Sequence, residues 1–261
     1  MAEIKKFFST LGELFHTAGG NNRDRYFVSA VIAAGGSSTR LGGDTTKQMM
    51  TLCGMPVIVH TLLAFESCQR ISEIVVVARE DEVDRYADFA KEYGITKFKV
   101  AVKGGETRQE SVLNGFNATN EKADFVAIHD GARCLITPEE IDRVLLAAYK
   151  YGAATASVSA FDTVKIADSK GFITETVDRS KVRLAQTPQV FGRTLYCAAA
   201  YTARDAGFEA TDDCMLCERI NQKVKLVECS RENLKITTAE DIRTAERILI
   251  QRKEVTDECS E

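Results

Sequence analysis

Val28-Ser29-Ala30-Val31-Ile32-Ala33-Ala34-Gly35-Gly36-Ser37-Ser38-Thr39-Arg40-Leu41-Gly42-Gly43 is an apolar run that leads into a glycine-rich stretch. The apolar run predicts a buried strand over 28–34. The small residues after it let backbone N–H groups approach an anion, although a tight strand-to-helix corner favours the same residues. The stretch has neither Walker A nor GxGxxG spacing. Arg40 and Lys47 follow, seven residues apart, and a guanidinium with an ammonium group suits a triphosphate.

Downstream of this strand, strand-like and helix-like segments alternate. Further strands are expected at 73–78, 98–102, 124–129, 153–159 and 224–229. Helical periodicity predicts helices at 57–67, 82–93, 107–118, 138–151, 193–206 and 238–250. This alternation predicts an α/β fold with a doubly wound, mainly parallel sheet. Ligands of such sheets bind beyond the carboxyl ends of the strands, so the residues there are the candidates for chemistry.

Residues 161–166 and 172–177 interrupt the alternation. Both runs are rich in β-forming residues, and Asp168-Ser169-Lys170-Gly171 joins them, which indicates a β-hairpin. A two-stranded hairpin that leaves an α/β body cannot bury both of its faces alone. We therefore expect a protruding arm at 161–180 that packs against a second copy of the chain.

Three parts of the chain are predicted. Residues 1–26 combine apolar residues at helical spacing with a Gly-Gly-Asn-Asn link, which predicts an amphipathic helix and a linker. Such a helix suits docking on the body or on a second subunit; a membrane surface is less favoured because Lys5 and Lys6 alone supply basic charge. Residues 27–252 are expected to form the main domain, and 253–261 a polar tail.

The composition excludes several classes of protein. The net charge is −4 over 261 residues, whereas nucleic-acid binders usually carry a basic surplus. No run approaches about 18 apolar residues and no signal-peptide pattern is present, so neither a membrane span nor secretion is expected. We expect a cytoplasmic protein whose cysteines are free thiols. Cys214 and Cys217 form a CxxC, for which core packing on a capped helix is favoured over metal or redox chemistry, since a zinc site needs further ligands.

His129-Asp130-Gly131-Ala132-Arg133 follows one of the expected strands. A carboxylate at the carboxyl end of a strand suits Mg²⁺, which prefers one or two carboxylates together with substrate oxygens. Asp130 is therefore a candidate metal ligand, with capping of the following turn as the alternative. Alternation along the strand assigns His129 a structural role.

Two more segments are expected at the same edge of the sheet. Gly104-Gly105-Glu106-Thr107-Arg108-Gln109-Glu110-Ser111 is a turn that opens a helix. Its amides and the Ser111 hydroxyl suit the edge of a nucleotide base, or equally a helix cap. Lys235, in 233–238, is expected on a short strand pointing to this rim, although a solvated lysine is the default alternative.

In this order the motifs resemble the 2-C-methyl-D-erythritol 4-phosphate cytidylyltransferase family, over residues 27 to 252. The glycine-rich opening loop is shared by nucleotidyltransferases broadly. More specific are 104–111, 129–133, 162–165, 176–180, Gln186-Thr187-Pro188-Gln189, Thr211-Asp212-Asp213 and 233–237. The resemblance implies a Rossmann-like nucleotidyltransferase fold, a homodimer joined through the arm, and Mg²⁺ or another divalent cation.

The resemblance also implies roles for matching residues. The cations that would stabilise the triphosphate or hold the acceptor phosphate are Arg40, Lys47, Arg179 and Lys235. The residues that would surround CTP are Ala34, Gly35, Gly36, Gly105, Glu106 and Ser111. Those that would lie near the acceptor are Asp130, Arg133, Thr163, Thr187 and Thr211, with Asp130 also beside the metal. The arm residues Thr163 and Arg179 would act in the neighbouring subunit's site.

Three positions depart from the family pattern. Ser38 replaces a glycine, and Thr46 and Cys134 replace prolines. These changes alter backbone stiffness rather than charge, so they affect loop geometry more than chemistry. Residues 1–26 also lie outside the pattern.

The implied reaction is in-line attack by the acceptor phosphate on the α-phosphorus of CTP, with release of pyrophosphate. The protein's task would be positioning and charge neutralisation. Two alternatives remain. Ribitol 5-phosphate cytidylyltransferase shares the opening loop and the Thr-Pro-Gln stretch. A catalytically silent nucleotide-binding protein of the same fold is disfavoured because the chain retains Arg40, Lys47, Asp130 and Lys235.

Overall fold

The computed structural model describes residues 26–36 and 46–258, with side chains as far as 254. The strands are β1 (Val28–Ala33), β2 (Thr51–Leu52), β3 (Met55–Pro56), β4 (Glu73–Ala78), β5 (Phe98–Lys103), β6 (Phe125–Asp130), β7 (Ala153–Ser159), β8 (Lys165–Ala167), β9 (Ile173–Thr176), β10 (Arg183–Gly192) and β11 (Lys225–Glu228). The helices are α1 (Val57–Ser67), α2 (Val83–Glu92), α3 (Arg108–Ala118), α4 (Pro138–Tyr151), α5 (Arg193–Asp205), α6 (Asp213–Arg219) and α7 (Ala239–Glu258).

Seven of these strands form one sheet in the order β11-β7-β10-β6-β1-β4-β5. β1 pairs in parallel with β4 and β6, and β4 with β5. β10 runs antiparallel to both of its neighbours, β6 and β7, while β11 is parallel to β7. The α/β fold and its mainly parallel sheet are thus confirmed, and the sheet contains one reversed strand.

Both faces of the sheet are covered by helices, which explains the apolar character of its strands. Residues of α1, α2 and α4 pack on one face, in a cluster that includes Ile32, Phe65 and Val76. α3, α5 and α6 pack on the other face, in a cluster that includes Val31 and Tyr196. β4 is buried along its whole length, as expected for a strand between two helical layers.

The ends of the helices follow local sequence signals. Thr137 accepts a hydrogen bond from the Glu140 amide and closes a capping box at the start of α4, which ends at Gly152 in the left-handed region. α6 begins after Asp212, whose side chain accepts from the Met215 amide. The predicted capped helix is confirmed here, and Cys214 and Cys217 lie in the core cluster of that face. Burial raises the pKa of both thiols.

The sequence-based assignment lacked the two-residue strands β2 and β3 and was wrong at two further points. It contained no strand at 183–192, because Pro188 and the polar residues Gln186, Thr187 and Gln189 are not typical of a buried strand. These polar residues find partners in the sheet and in the segments packed beside it: the Thr155 hydroxyl donates to the Gln186 carbonyl over 3.1 Å, and Gln189 Nε2 donates to Asp212 over 2.7 Å. The short strand expected at Lys235 is also absent among the described residues. That segment is tied to the body by the Ile236 amide, which donates to the Ala132 carbonyl over 2.9 Å, and forms no ladder.

The hairpin is confirmed, with β8 and β9 paired antiparallel in a separate two-stranded sheet. The arm exposes large apolar side chains: Phe161 is 71% exposed, Phe172 69% and Ile173 63%. In the part of the chain that the structure describes, no helix is long and apolar enough to cross a membrane. The helix predicted within 1–26 lies outside the described residues, apart from Tyr26, as does 37–45 with Ser38 and Arg40.

Candidate active site

A cavity of about 390 Å³ opens at the carboxyl ends of β1 and β6. Its lining comes from five separate parts of the chain: Ala33, Gly35, Gly36, Lys47, Gln48, Gly105, Glu106, Thr107, Arg108, Ser111, Asp130, Ala132 and Lys235. This is the edge at which the parallel topology places ligand sites. Lys47 and Lys235 therefore share one cleft, although 188 positions separate them in the sequence.

The end of β1 forms one wall of the cavity. Gly35 and Gly36 line it together with Ala33. Ala34, expected near the nucleotide, is instead fully buried in the core, and its amide donates to the Val77 carbonyl over 2.7 Å. The side chain of Ala34 therefore does not line the cavity.

Lys47 reaches the cavity from the turn that precedes β2. The turn is closed by the Met49 amide, which donates to the Thr46 carbonyl over 2.9 Å. Thr46, one of the departures from the family pattern, is 2% exposed. Arg40 is outside the described residues, so its position relative to Lys47 stays a prediction.

The turn before α3 forms another wall of the cavity. The Gly105 amide donates to the Ser111 hydroxyl over 3.0 Å, and the Glu106 amide donates to the Glu110 carboxylate over 2.8 Å. A Cβ at Gly105 would lie 2.5 Å from the Glu110 Cβ, so only glycine fits here without a shift. The groups expected to read a base are thus gathered at the cavity wall and already hydrogen-bonded to one another.

Asp130 is the electrostatic centre of the cavity. It ends β6, is 7% exposed, and faces three cations. Lys235 Nζ lies 2.9 Å away, Arg133 Nε 3.5 Å and Arg108 Nε 3.6 Å. Burial raises the pKa of Asp130, but the attraction of Lys235, Arg108 and Arg133 outweighs it, and the net pKa lies well below the usual range. The carboxylate is therefore charged at neutral pH and holds Lys235 at the rim.

His129 and Thr187 support Asp130 from behind the cavity. The Thr187 hydroxyl accepts from the Asp130 amide over 3.0 Å and lies 3.1 Å from His129 Nδ1. His129 Nε2 lies 3.2 Å from the Arg133 carbonyl, so this nitrogen carries the proton and the Thr187 hydroxyl donates to Nδ1. Burial lowers the pKa of His129 to about 4. The structural role expected for His129 is confirmed, and Thr187 does not line the cavity.

Arg108 belongs to the site but was not singled out from the sequence. It is the first residue of α3, directly after the cap Thr107, and it lines the cavity. Its Nη1 donates to Asp213 Oδ2 over 2.7 Å, and Asp213 also accepts from the Tyr196 hydroxyl over 2.9 Å. Arg108 thus links the cavity to a buried acid. Its place at a helix start after the glycine turn was the available signal.

The other predicted site residues lie outside the cavity of the same chain. Arg133 is behind Asp130, where its Nη1 donates to the Asn233 carbonyl over 2.9 Å. Thr211 is exposed near α6, with its hydroxyl 3.8 Å from the Met215 sulfur. Thr163 and Arg179 are exposed on the arm, and Arg179 donates to the Phe161 carbonyl over 3.0 Å.

The metal prediction rests on a small donor set. Among residues 26–36 and 46–254, no group of three or more His, Cys, Asp or Glu side chains could hold a metal ion. Asp130 offers one carboxylate, and Mg²⁺ commonly binds through one or two carboxylates with substrate phosphates and water. Both oxygens of Asp130 already pair with Lys235, Arg133 and Arg108, so an ion at this site would take most of its ligands from a bound triphosphate and water.

A second, larger cavity of about 740 Å³ lies at the opposite end of the sheet, where Tyr26 and Ser72 precede β1 and β4. Arg70 and Asp142 in its wall pair with each other over 2.6 Å. The cavity lacks a glycine-rich turn and lies at the amino ends of the parallel strands, away from the position of ligand sites in this topology. Its size alone therefore does not make it the active site.

Known proteins resemble this chain over most of its length. A family model described as IspD: 2-C-methyl-D-erythritol 4-phosphate cytidylyltransferase matches residues 28–251. The chain is 44% identical over 224 residues to the protein of that name from Caldanaerobacter subterraneus subsp. tengcongensis, covering 85% of this chain and 98% of the relative. It is 41% identical over 227 residues to the one from Pelotomaculum thermopropionicum, covering 87% and 95%.

Solved structures give the same result. The 4-diphosphocytidyl-2C-methyl-D-erythritol synthase of Anaerococcus prevotii superposes with a TM-score of 0.77 at 32% identity, covering 86% of this chain and 96% of that one. The 2-C-methyl-D-erythritol 4-phosphate cytidylyltransferase of Thermus thermophilus superposes with a TM-score of 0.69 at 30% identity, covering 85% and 98%. With a family model matched over residues 28–251, relatives above 40% identity and solved structures of the same fold, this chain belongs to the 2-C-methyl-D-erythritol 4-phosphate cytidylyltransferase family.

Proposed function

We propose that this cavity transfers a cytidylyl group from CTP to 2-C-methyl-D-erythritol 4-phosphate, giving 4-diphosphocytidyl-2-C-methyl-D-erythritol and pyrophosphate. One observation carries the proposal: Lys47, Lys235 and Arg108 surround a single cavity that glycine-rich turns border on two sides. Such a site combines point charges with closely approaching backbone amides, which is what two phosphate groups require.

In the reaction, an oxygen of the acceptor phosphate attacks the α-phosphorus of CTP in line. The new P–O bond forms as the bond between the α- and β-phosphates breaks, and pyrophosphate leaves with that electron pair. A phosphate dianion is already nucleophilic, so no general base and no covalent enzyme intermediate are required. The protein contributes alignment of the two reactants and neutralisation of their charge.

Different cations would bind the triphosphate of CTP and the phosphate of the acceptor. Lys47, with Arg40, would bind the triphosphate and stabilise charge on the leaving pyrophosphate. Lys235 would hold the acceptor phosphate while Asp130, 2.9 Å from its ammonium group, fixes its position. Gly105, Glu106 and Ser111 would contact cytosine, with Gly35 and Gly36 near the sugar and phosphates. Mg²⁺ held by the triphosphate and Asp130 would, when bound, neutralise further charge.

We propose that the arm completes the site of a second subunit. Thr163 and Arg179 do not line the cavity of their own chain, and Phe161, Phe172 and Ile173 are exposed apolar side chains of the arm that a partner would cover. Residues 27–252 would then act as the catalytic domain of a homodimer. The reducing cytoplasm, where CTP is made, is the compartment proposed for it.

Subunit mixing tests the arm directly. We expect Lys47→Ala and Arg179→Ala chains, each inactive alone, to recover about a quarter of wild-type activity when co-expressed, since half the dimers are mixed and each has one intact site. Pyrophosphate release by the purified mixture measures this. Lys47→Ala with Lys235→Ala is the matched control, because these residues belong to one cavity and no site is restored. A Lys47→Ala and Arg179→Ala mixture as inactive as that control would contradict the arm's role.

The reaction itself is tested by pyrophosphate release with CTP, UTP, ATP or GTP, each with 2-C-methyl-D-erythritol 4-phosphate or ribitol 5-phosphate. We expect release only with CTP and 2-C-methyl-D-erythritol 4-phosphate together. Preference for ribitol 5-phosphate would support the alternative acceptor, and CTP binding without any release would support a silent nucleotide-binding protein. The family match favours the first outcome over both alternatives.

A further inference from the structure

Glu82 is a buried acidic residue outside the cavity. It ends a short 3-10 helix, Glu80–Glu82, that connects β4 to α2, and it is 6% exposed. Its Oε1 accepts a hydrogen bond of 2.7 Å from the Thr46 hydroxyl, across 36 positions of sequence. A buried carboxyl group so far along the chain from its partner ties two separate segments together.

Among the described residues, no second hydrogen bond to the Glu82 carboxyl group supports the one from Thr46. Within the described ranges, Glu82 Oε2 is buried without a hydrogen-bond partner, and so is the Tyr86 hydroxyl one turn later. Burial, with the nearby Glu82 carboxylate, raises the pKa of Tyr86. Since an unpaired buried carboxyl oxygen is costly, loss of the Thr46 hydroxyl would leave both Glu82 carboxyl oxygens without a donor among the described residues.

The segment held by Glu82 is the one that carries Lys47. Thr46 opens the turn closed by the Met49 amide, and the Gln48 carbonyl accepts from the Ile58 amide of α1 over 3.0 Å. Lys47 lies between these two attachments and lines the cavity. Its backbone is therefore fixed on one side by Glu82 and on the other by α1.

We propose that the hydrogen bond from Thr46 to Glu82 positions Lys47 for the triphosphate, so that Thr46 and Glu82 are positioning residues of the site. This inference rests on the proposed function, because Lys47 must bind phosphate for its position to matter. A misplacement of about 1 Å in a charged group can lower turnover about 10²-fold, so a hydrogen bond behind the lysine is sufficient to affect catalysis.

The test uses Thr46→Val, which keeps the shape and removes the hydroxyl, beside Thr46→Ser, which keeps the hydroxyl. We expect Thr46→Val to lower kcat about tenfold or more, with the KM for the acceptor unchanged, and Thr46→Ser to stay within about threefold of wild type. In a Lys47→Ala background, Thr46→Val should cost nothing further. Melting temperatures of all variants report how much stability each substitution removes.

A purely structural role gives a different pattern. Thr46→Val would then lower the melting temperature while the folded protein kept its kcat, or it would reduce turnover equally in the presence and absence of Lys47; either result overturns the proposal. Binding of inorganic tripolyphosphate, measured by calorimetry, separates this failure from failure of the proposed function. If wild type binds tripolyphosphate but transfers no cytidylyl group, weaker binding by Thr46→Val alone still supports the positioning role, and equal binding contradicts it.

Discussion

Replacing Lys47 by alanine is expected to lower kcat by about 10²–10³-fold, equivalent to about 3–4 kcal/mol of lost transition-state stabilisation. The reason is that charge moves onto the leaving pyrophosphate as the bond to the α-phosphate breaks, and Lys47 lines the cavity where that charge would develop. Arginine at this position should recover only part of the loss, because a planar fork does not reproduce a compact ammonium group.

The measurement is steady-state pyrophosphate release at saturating CTP and acceptor. Lys122→Ala is the matched control: Lys122 is an exposed lysine in the turn before β6, at the far end of the sheet from the cavity, and its loss should leave kcat unchanged. Near-normal turnover of Lys47→Ala would show that Lys47 does not contribute to catalysis. It would also weaken the assignment of this cavity as the active site.

Replacing Asp130 by asparagine is expected to lower the free energy of unfolding by about 3–5 kcal/mol, the usual cost of removing one partner from a buried charge cluster. Lys235, Arg133 and Arg108 converge on this carboxylate within 2.9 to 3.6 Å and would be left to repel one another. Urea unfolding of the two proteins measures the difference. Addition of CTP should reduce this difference in unfolding free energy, since bound phosphates replace part of the missing negative charge.

The pH dependence of that difference has a definite sign. The folded-state pKa of Asp130 lies below its unfolded value of about 3.9. Its contribution to stability is therefore complete above about pH 4 and is lost as pH falls further, through the folded pKa. His129 acts at higher pH: its pKa of about 4 in the fold, against about 6.5 unfolded, lowers stability as pH falls between these values in both proteins.

The difference in unfolding free energy between wild type and Asp130→Asn should therefore stay constant from pH 5 to 8, at about 3–5 kcal/mol. It should decrease below about pH 4. A difference that disappears near pH 6 would show that the carboxylate is not held ionised by its neighbours. The decline assigned to His129 cancels from about pH 5 to 8, because folded His129 is neutral there in both proteins; the Asp130 charge raises the pKa of His129, so the substitution keeps it neutral to lower pH still.

Much of the fold was predictable because its strands are buried on both faces. β4 contains an apolar run at 74–78 and β6 one at 125–128, short enough to favour strands, and helices with clear periodicity lie between them. Parallel strands then place Gly35 and Asp130 at one edge, so a site could be located without coordinates. The hairpin was recognisable from its turn residues and β-branched flanks.

What escaped prediction depends on long-range contacts. β10 carries Pro188 and buried polar residues, and only its neighbours β6 and β7 provide the partners that make a strand of it. Arg108 becomes a site residue through Asp213 and Asp130, which lie 105 and 22 positions away. Thr187 turned out to support Asp130 rather than line the cavity, a distinction that no motif expresses.

The central claim is that phosphate groups meet in the 390 Å³ cavity at the carboxyl ends of the strands. A crystal structure with CTP and an unreactive acceptor analogue tests it most directly. The account predicts triphosphate oxygens within about 3 Å of Lys47 Nζ, the acceptor phosphate equally close to Lys235 Nζ, and Arg179 reaching in from the second subunit. A nucleotide bound elsewhere, for instance in the larger cavity beside Tyr26, would contradict it.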